Sequence, residues 1–323
     1  MKYIKRFSNL SGQTEYLNSA DIDTYLGYVD ENDTVYYDDA IPEYKERYFT
    51  IKSLTDNNTI AFRKNSSSNV TGLYTSTDDG KSWSLFTPQD NSNRTIATLN
   101  ADEKLLIKGE NTKYNYSRFF ASGQFEVYGN IMSLISGDSF ANADTITDAD
   151  ALSGLFSGAT TLTSAENLIL PATILAERCY QEMFHYCGNL TSAPALPATT
   201  LTNNCYEYMF KGCTSLTSAP ELSAATLTIG CYSCMFQDCS SLTTAPELPA
   251  TTLVNYCYFS MFRGCANLNS ITCLATNISA TNCTNNWVSG VAASGTFTKS
   301  ASMSTSWTTG NNGIPNGWTV QDA

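Results

Sequence analysis

The stretch of sequence that decides the fold is residues 205–213, which read Cys-Tyr-Glu-Tyr-Met-Phe-Lys-Gly-Cys. Its two cysteines, its first tyrosine and its Met-Phe pair recur every 26 residues through the second half of the chain. A fixed period of this length is typical of a solenoid, in which each repeat buries its apolar face against its neighbours. We therefore predict a solenoid of 26-residue coils that offers a contact surface and not a reaction centre.

The recurring sulfur-containing and aromatic side chains form the predicted core of these coils. They are Cys179, Met183, Phe184, Cys187, Cys205, Met209, Phe210, Cys213, Cys231, Met235, Phe236, Cys239, Cys257, Met261, Phe262 and Cys265. A cysteine that recurs beside Met and Phe behaves as a small apolar residue, which favours free buried thiols. Some bridging between neighbouring coils stays open as an alternative. A short helical segment is predicted over residues 205–210 and its copies, and Trp287 is predicted to replace Met261 in the last coil.

Charge and apolar content limit the classes of partner. The formal net charge is −12, which argues against nucleic acid and anionic membrane. Residues 151–323 hold only 4 Lys/Arg and 8 Asp/Glu, so the repeats are polar but weakly charged. No apolar run is long enough for membrane insertion, and residues 1–7 are not followed by the apolar region of a secretory signal.

The first 130 residues divide into two predicted units. Residues 1–45 read as a small module with a hairpin that joins residues 27–29 to residues 34–37. Its carboxylates Asp30, Asp33, Asp38 and Asp39 admit a calcium site, but a solvated acidic turn is favoured because the glycine and terminal Glu of an EF-hand loop are missing. Residues 46–130 alternate apolar and polar residues in short runs, which predicts an antiparallel β-sandwich.

One turn within the predicted sandwich matches the Asp-box pattern. Its residues are Ser76, Asp78, Gly80 and Trp83, and the pattern resembles the boxes of sialidase propellers. In those propellers the box recurs and is structural. We therefore interpret this single copy as a turn scaffold, and we keep a carbohydrate hydrolase as the weaker alternative.

The remaining candidates for chemistry are one histidine and one pair of cysteines. His185 stands at the repeat position that Lys211, Gln237 and Arg263 occupy later, which predicts a solvent-facing side chain and no catalytic imidazole. The spacing of Cys231 and Cys234 fits half of a zinc site, but a closed site needs two more ligands. No catalytic residue, cofactor or metal ligand is therefore predicted.

The repeat motif Met-Phe-x-x-Cys-x-x-Leu-Thr, followed by Ala-Pro-x-Leu-Pro-Ala-Thr-Thr-Leu, resembles the BspA-type leucine-rich repeats of Bacteroidales and their phages. The resemblance covers residues 131–300, and residues 313–320 resemble the terminal cap of that group. The opening residues 2–7 and the Tyr-rich hairpin resemble the N-termini of Bacteroides phage and prophage structural proteins. The expected fold is mainly β with short helices, and the expected domains are 1–45, 46–130, 131–300 and a C-terminal cap at 301–323.

The resemblance implies adhesion or host recognition without enzymatic activity. The first hypothesis is a fibre or decoration protein of a phage virion, made in the host cytoplasm. Its N-terminal module would bind other virion proteins, its solenoid would bind a bacterial surface glycan or protein, and it could assemble as a trimer. The second is a surface or secreted bacterial adhesin, which requires an export signal. The third is the carbohydrate hydrolase suggested by the turn at residues 76–83.

Overall fold

The computed structural model describes residues 47–303 and 307–323, and before residue 47 only the backbone of four short strands. Over these residues the chain is mainly β, with several separate sheets and no closed barrel. The described residues contain one short α-helix, α1 (Ser133–Ser136), followed by a 3₁₀ helix at Gly137–Asn142. The further short helices predicted in the repeats are not formed.

The strands are short and fall into five sheets. In chain order they are β1 (Lys5–Phe7), β2 (Thr14–Tyr16), β3 (Tyr28–Val29), β4 (Val35–Tyr36), β5 (Phe49–Ser53), β6 (Asn58–Arg63), β7 (Leu73–Ser76), β8 (Ser84–Phe86), β9 (Asn93–Leu99), β10 (Lys104–Lys108), β11 (Arg118–Ala121), β12 (Phe125–Asn130), β13 (Leu162–Ser164), β14 (Leu168–Ile169), β15 (Ser270–Cys273), β16 (Thr296–Lys299) and β17 (Thr319–Asp322).

The N-terminal strands form two hairpins. Strands β1 and β2 pair antiparallel, and so do β3 and β4, with Tyr28 opposite Tyr36. The second pairing confirms the hairpin predicted between residues 27–29 and 34–37. The four carboxylates of the predicted acidic turn lie outside the described residues.

Two sheets built from residues 49–130 pack against each other. One has seven strands in the order β13-β12-β5-β10-β7-β8, with β14 also beside β12. The other has three strands in the order β11-β6-β9. Phe49 of the first sheet contacts Phe119 of the second, with ring centroids 5.5 Å apart, and both side chains are fully buried. Alternation of apolar and polar residues along these strands therefore does produce a buried layer between two sheets.

The larger sheet continues into the repeats. Strand β12 pairs antiparallel with β5 on one edge, and on the other edge it pairs in parallel with β13 and β14. Gly129 of β12 has φ +81°, and a Cβ there would lie 2.3 Å from the Tyr48 carbonyl oxygen, so only glycine fits. One buried cluster extends from Phe49 to Trp318. The sheet and the core thus cross the predicted domain boundary at residue 130 without a break.

The predicted helical segments of the repeats are runs of consecutive turns. Within one run, Met183 N–H donates to the carbonyl of Tyr180 three residues back, at 3.2 Å. The next N–H, that of Phe184, donates instead to Met209 of the following repeat, at 2.9 Å. A helix would use all of its N–H groups internally, whereas this backbone needs every second one for its neighbour. The helical prediction is wrong for this reason, although it buries the same side chains.

Equivalent aromatic rings of successive repeats stack on one another. Ring centroids are separated by 5.3 Å between Phe156 and Phe184 and by 5.4 to 5.9 Å along the rest of the row, which is Phe210, Phe236 and Phe262. The tyrosines form a second row, Tyr180, Tyr206, Tyr232 and Tyr258, at 5.7 to 6.3 Å. All four tyrosines are at most 2% exposed, so the predicted placement of their hydroxyls at the rim of the core is wrong.

Tyr180 provides a test of this packing. Its hydroxyl is buried without a hydrogen-bond partner among the described residues. We expect Tyr180→Phe to raise the free energy of unfolding by about 1 kcal/mol, because it removes an unpaired buried polar group. The control is Tyr114→Phe, which deletes a buried hydroxyl that donates to the Leu134 carbonyl at 3.1 Å and should lower stability. Urea denaturation measures both, and a loss of stability in Tyr180→Phe would contradict the placement of the ring.

Segments outside the 26-residue period close both ends of the run of repeats. At the first repeat, Tyr114 and Tyr116 donate backbone N–H groups to the carbonyls of Ala151 and Ser153, at 2.7 and 2.8 Å. At the last repeat, Thr284 Oγ1 and Asn286 N–H donate to the backbone and side-chain oxygens of Asn312, at 2.8 and 2.7 Å. Strands β15, β16 and β17 form one parallel sheet, which joins the last repeats to the predicted cap.

Candidate functional site

The Asp-box turn has the geometry of a scaffold. Asp78 Oδ1 accepts hydrogen bonds from Ser76 Oγ at 2.7 Å and from Ser82 N–H at 2.9 Å, and its Oδ2 accepts from Ser82 Oγ at 2.7 Å. Ser76 Oγ in turn accepts from the N–H of Gly80, whose φ of +83° suits glycine. Trp83 packs edge-on against Tyr48, with centroids 4.8 Å apart.

The charge state of Asp78 argues against a role as a general acid. Hydrogen bonds from the Ser82 side chain and backbone, and then from Ser76, lower the pKa of Asp78 to about 2. A general acid needs a proton to give at the working pH, which calls for a raised pKa. The carboxylate oxygens are also occupied by the turn. The Asp-box residues thus hold the hairpin, as the scaffold interpretation expects.

The recurring core residues of the repeats are all buried. All eleven cysteines of the chain are free thiols and buried. The second cysteine of each repeat has a further contact, because Cys213 Sγ donates to the Phe184 carbonyl at 3.1 Å, as Cys187, Cys239 and Cys265 do to Phe156, Phe210 and Phe236. This donor satisfies a backbone carbonyl that the turns leave without an N–H partner, which gives a physical reason for a thiol at this position.

Burial also makes these thiols unreactive. It raises the pKa of Cys187 and Cys205 to about 12 and that of Cys213 well above the ordinary thiol value. The reactive species in alkylation is the thiolate. We expect the folded protein to resist iodoacetamide at pH 8 and all eleven thiols to react in denaturant, as counted by mass spectrometry. Rapid modification of any core cysteine in the folded state would contradict this.

Polar side chains with unusual surroundings gather where the turns of neighbouring repeats meet. We call this group the turn-face cluster and define it as Tyr116, Gln181, Glu182, His185, Tyr186, Glu207, Tyr208 and Lys211. Its members come from residues that occupy outward positions of the turns, and these positions hold different residue types in each repeat. A constant core therefore supports a variable outer surface.

Carboxylates form the inner part of the turn-face cluster. His185 Nδ1 lies 3.2 Å from Glu182 Oε2, and the Tyr116 hydroxyl donates to Glu182 Oε1 at 3.1 Å. Gln181 Nε2 donates to Glu207 Oε2 at 2.6 Å. The hydrogen bond from His185 lowers the pKa of Glu182, whereas burial raises the pKa of Glu207. The two acids thus differ in charge stability although they belong to neighbouring repeats.

Aromatic rings and one ammonium group form the outer part of the turn-face cluster. Lys211 Nζ lies 5.1 Å from the ring centroid of Tyr208 and 6.0 Å from that of Tyr186, within the range of cation–π attraction. The ring of Tyr186 packs 4.2 Å from the ring of His185, centroid to centroid. This part combines exposed aromatic surface with a positive charge, a combination common in binding surfaces.

The backbone of Tyr186 is strained. Its φ is +57°, and the equivalent residues Gly158, Gly212 and Gly264 show the same left-handed conformation with glycine. A non-glycine residue there costs on the order of 1–2 kcal/mol. Tyr186 is nevertheless 51% exposed, so burial of its ring offsets only part of this cost. An exposed aromatic side chain in a strained conformation is the strongest local indication of a functional contact.

The sequence indicated the core but missed this cluster. His185 was predicted to face solvent, but its side chain is only 18% exposed, and its Nε2 is buried without a partner among the described residues. The prediction is wrong because Tyr186 and Tyr208 cover the ring. The one available signal was the bulky residue Tyr186 at a position that holds glycine in other repeats.

The possible zinc pair does not form part of a metal site. Cys231 is a fully buried core residue, and Cys234 has a left-handed φ of +53° and contacts Ser233 Oγ at 3.8 Å. In the described part of the chain, no group of three or more His, Cys, Asp or Glu side chains could hold a metal ion. Within residues 47–303 and 307–323, no helix has the length and apolar character needed to cross a bilayer.

Comparisons with other proteins add no relative to this description. No protein-family model, no curated protein sequence and no solved structure matches the chain.

Proposed function

We propose that the chain is a non-enzymatic virion protein of a Bacteroides phage, of the fibre or decoration type. Residues 131–300 would form a leucine-rich-repeat solenoid that binds a glycan or protein of the host surface. Residues 1–45 would attach the chain to other virion proteins. The observation that carries this proposal is the in-register stacking of the 26-residue repeats, because stacked repeats bury their sulfur atoms and expose a continuous polar surface.

Several contacts support the solenoid. The carbonyls of Met209, Met235 and Met261 each accept an N–H from the phenylalanine of the preceding repeat, at 2.9 to 3.0 Å. Isolated parallel bridges such as Thr200 to Thr226 link the opposite side of the repeats. Short ladders on one side and turns on the other are expected of a coil that closes in 26 residues. The two packed sheets of residues 49–130 support the β-sandwich in the same way.

The turn-face cluster supports a role in binding. It brings aromatic surface, an ammonium group and two carboxylates onto neighbouring repeats of a face that is otherwise neutral. Binding energy concentrates in such aromatic and charged positions. The buried thiols and the occupied carboxylate of Asp78 give no support to the hydrolase hypothesis. The attachment role of residues 1–45 and the assembly as a trimer rest on the resemblance alone.

The location is tested on purified particles. Mass spectrometry of virions should detect the chain at a fixed copy number, and antibody against residues 47–323 should label the particle surface. Absence of the chain from particles would overturn the virion proposal. Recovery from the washed surface of uninfected cells would support the bacterial adhesin instead.

Binding is tested with the substitution Tyr186→Asn. Asparagine tolerates left-handed φ better than tyrosine, so relief of strain should offset the lost ring contacts and leave stability within about 1 kcal/mol. Retention on host cells should fall at least about tenfold if this ring is a binding hot spot. The matched control is Asp238→Asn, at the equivalent position with φ +62°. Equal retention of both variants would contradict the role of the turn-face cluster.

A further inference from the structure

A pocket of about 350 Å³ lies beside the Asp-box hairpin, on the sheet that precedes the repeats. It is lined by Tyr74, Trp83, Lys108, Gly109, Glu110, Gly137 and Asp138. Tyr74 of β7 and Lys108 of β10 are directly opposite each other in the sheet, so their side chains lie on the same face. The pocket is separate from the turn-face cluster and shares no residue with it.

Lys108 organises one wall of this pocket. Its Nζ lies 4.2 Å from the ring centroid of Trp83 and 5.4 Å from that of Tyr48, and it pairs with Asp138 Oδ1 at 2.6 Å. The Tyr48 hydroxyl also donates to Asp138 Oδ1, at 2.7 Å. The side chain of Lys108 is only 14% exposed, so its position is fixed by packing. A polar pair held this firmly loses little conformational entropy when a ligand binds.

The same pocket presents groups that remain accessible. The side chain of Asp138 is 67% exposed, and within the described residues its hydrogen bonds all use Oδ1, which leaves Oδ2 for a ligand. Tyr74 is 46% exposed and contributes apolar ring surface. The hydrogen bonds from Lys108 and Tyr48 lower the pKa of Asp138, so the carboxylate stays ionised and able to accept.

Two glycines keep the floor of the pocket open. A Cβ on Gly109 would lie 2.6 Å from Asn111 Nδ2, and a Cβ on Gly137 would lie 3.3 Å from the side chain of Glu110. Gly137 also has φ +52°, which favours glycine. Their backbones are joined by a hydrogen bond from Gly137 N–H to the Gly109 carbonyl, at 2.8 Å. Side chains are thus excluded where a ligand would rest.

We propose that this pocket binds a neutral pyranose unit of a bacterial surface glycan. The C–H face of a pyranose carries partial positive charge, which suits the negative face of the aromatic rings of Tyr74 and Trp83. Neighbouring hydroxyls can donate to the carboxylate of Asp138 and accept from the ammonium group of Lys108. This inference deepens the host-binding proposal and rests on it, because it names the ligand class and adds a second contact outside the repeats.

The charges of the pocket select against acidic sugars. One ammonium group, that of Lys108, faces two carboxylates, those of Glu110 and Asp138, and the chain carries a net charge of −12. The ammonium group already has a carboxylate partner, so a uronate would compete with Asp138 and meet repulsion from Glu110. A neutral hexose meets neither obstacle.

The test uses the full chain and two sets of probes. The first set is neutral gluco-, manno- and galacto-trisaccharides in α and β linkage, and the second is the corresponding uronate trisaccharides. Saturation-transfer NMR detects binding, and acrylamide quenching locates it. Quenching reports mainly on Trp83, because the other three tryptophans, Trp287, Trp307 and Trp318, are buried. A bound trisaccharide should protect Trp83.

Two variants with exposed substitutions keep the test independent of folding. We expect Tyr74→Ala and Asp138→Asn to weaken binding of the best neutral trisaccharide at least about tenfold. Tyr256→Ala, at an exposed tyrosine of the repeats, is the matched control and should bind like the wild type. Far-UV circular dichroism verifies that all three fold.

The outcomes separate this inference from the proposed function. Binding of no neutral trisaccharide at millimolar concentration, equal binding of the uronates, or unchanged binding in both variants would each overturn the pocket. If host cells still retain the protein in that case, the host-binding proposal stands. If neutral trisaccharides bind and purified virions lack the chain, the pocket stands and the virion proposal fails.

Discussion

Phe210→Ala should lower the free energy of unfolding by about 3–5 kcal/mol, the usual loss for truncation of a buried aromatic side chain. The ring is fully buried and stacks between Phe184 and Phe236, at centroid distances of 5.4 and 5.7 Å. The vacated volume cannot close easily, because hydrogen bonds between neighbouring backbones fix the separation of the repeats. Urea denaturation followed by circular dichroism gives the value.

The control for this substitution is Arg263→Ala. Arg263 follows the phenylalanine of a later repeat and is exposed, so its loss should change stability by less than about 0.5 kcal/mol. Lys211 occupies the same repeat position next to Phe210, but it lies over two tyrosine rings and is therefore a poorer control. Similar small losses in Phe210→Ala and Arg263→Ala would contradict the assignment of buried and exposed faces.

Trp287→Ala should have an effect of the same size, about 3–5 kcal/mol. Trp287 occupies the repeat position of Met261, as predicted, and its ring stacks against Tyr258, at 6.2 Å between centroids. It also packs against Phe297 and Trp307, and its Nε1–H donates to the Gly313 carbonyl at 2.8 Å. The substitution removes both the contact with the last full repeat and the attachment of the segment after residue 307.

Trp287→Met separates these two contributions. Methionine fits the repeat position, as Met261 does in the preceding copy, but it cannot donate to Gly313. We expect a smaller loss of stability than in Trp287→Ala, together with faster proteolysis of residues 307–323, measured by mass spectrometry. Wild-type stability in Trp287→Ala would mean that the last repeat does not need this side chain.

The core of the repeats could be predicted because its members recur. Cys205, Met209 and Phe210 are buried in one repeat, and the same spacing places their copies in every other. The conformation of the intervening backbone could not be predicted in this way. A helix and a run of turns bury the same three side chains, and only the direction of alternate N–H groups distinguishes them.

The candidate sites were harder to predict, because they depend on contacts between residues distant in sequence. Tyr116 reaches Glu182 across 66 positions, and Tyr48 reaches Asp138 across 90. The Asp-box pattern did identify the turn correctly as a scaffold. It gave no indication that Trp83 would stand beside Lys108, since that contact depends on the pairing of β7, β8 and β10.

The closed ends of the repeat run determine how the chain could lengthen. Each repeat donates backbone N–H groups toward the carboxyl terminus and accepts them on its other side, and residues 114–119 and 311–313 complete the two terminal sets. Another copy of the protein therefore finds no open row of donors or acceptors to extend. A whole 26-residue unit inserted between two repeats preserves every pairing, and each such unit would extend the reach of the protein by about 4.8 Å. An insertion of any other length would place charged residues where the sulfur atoms now lie.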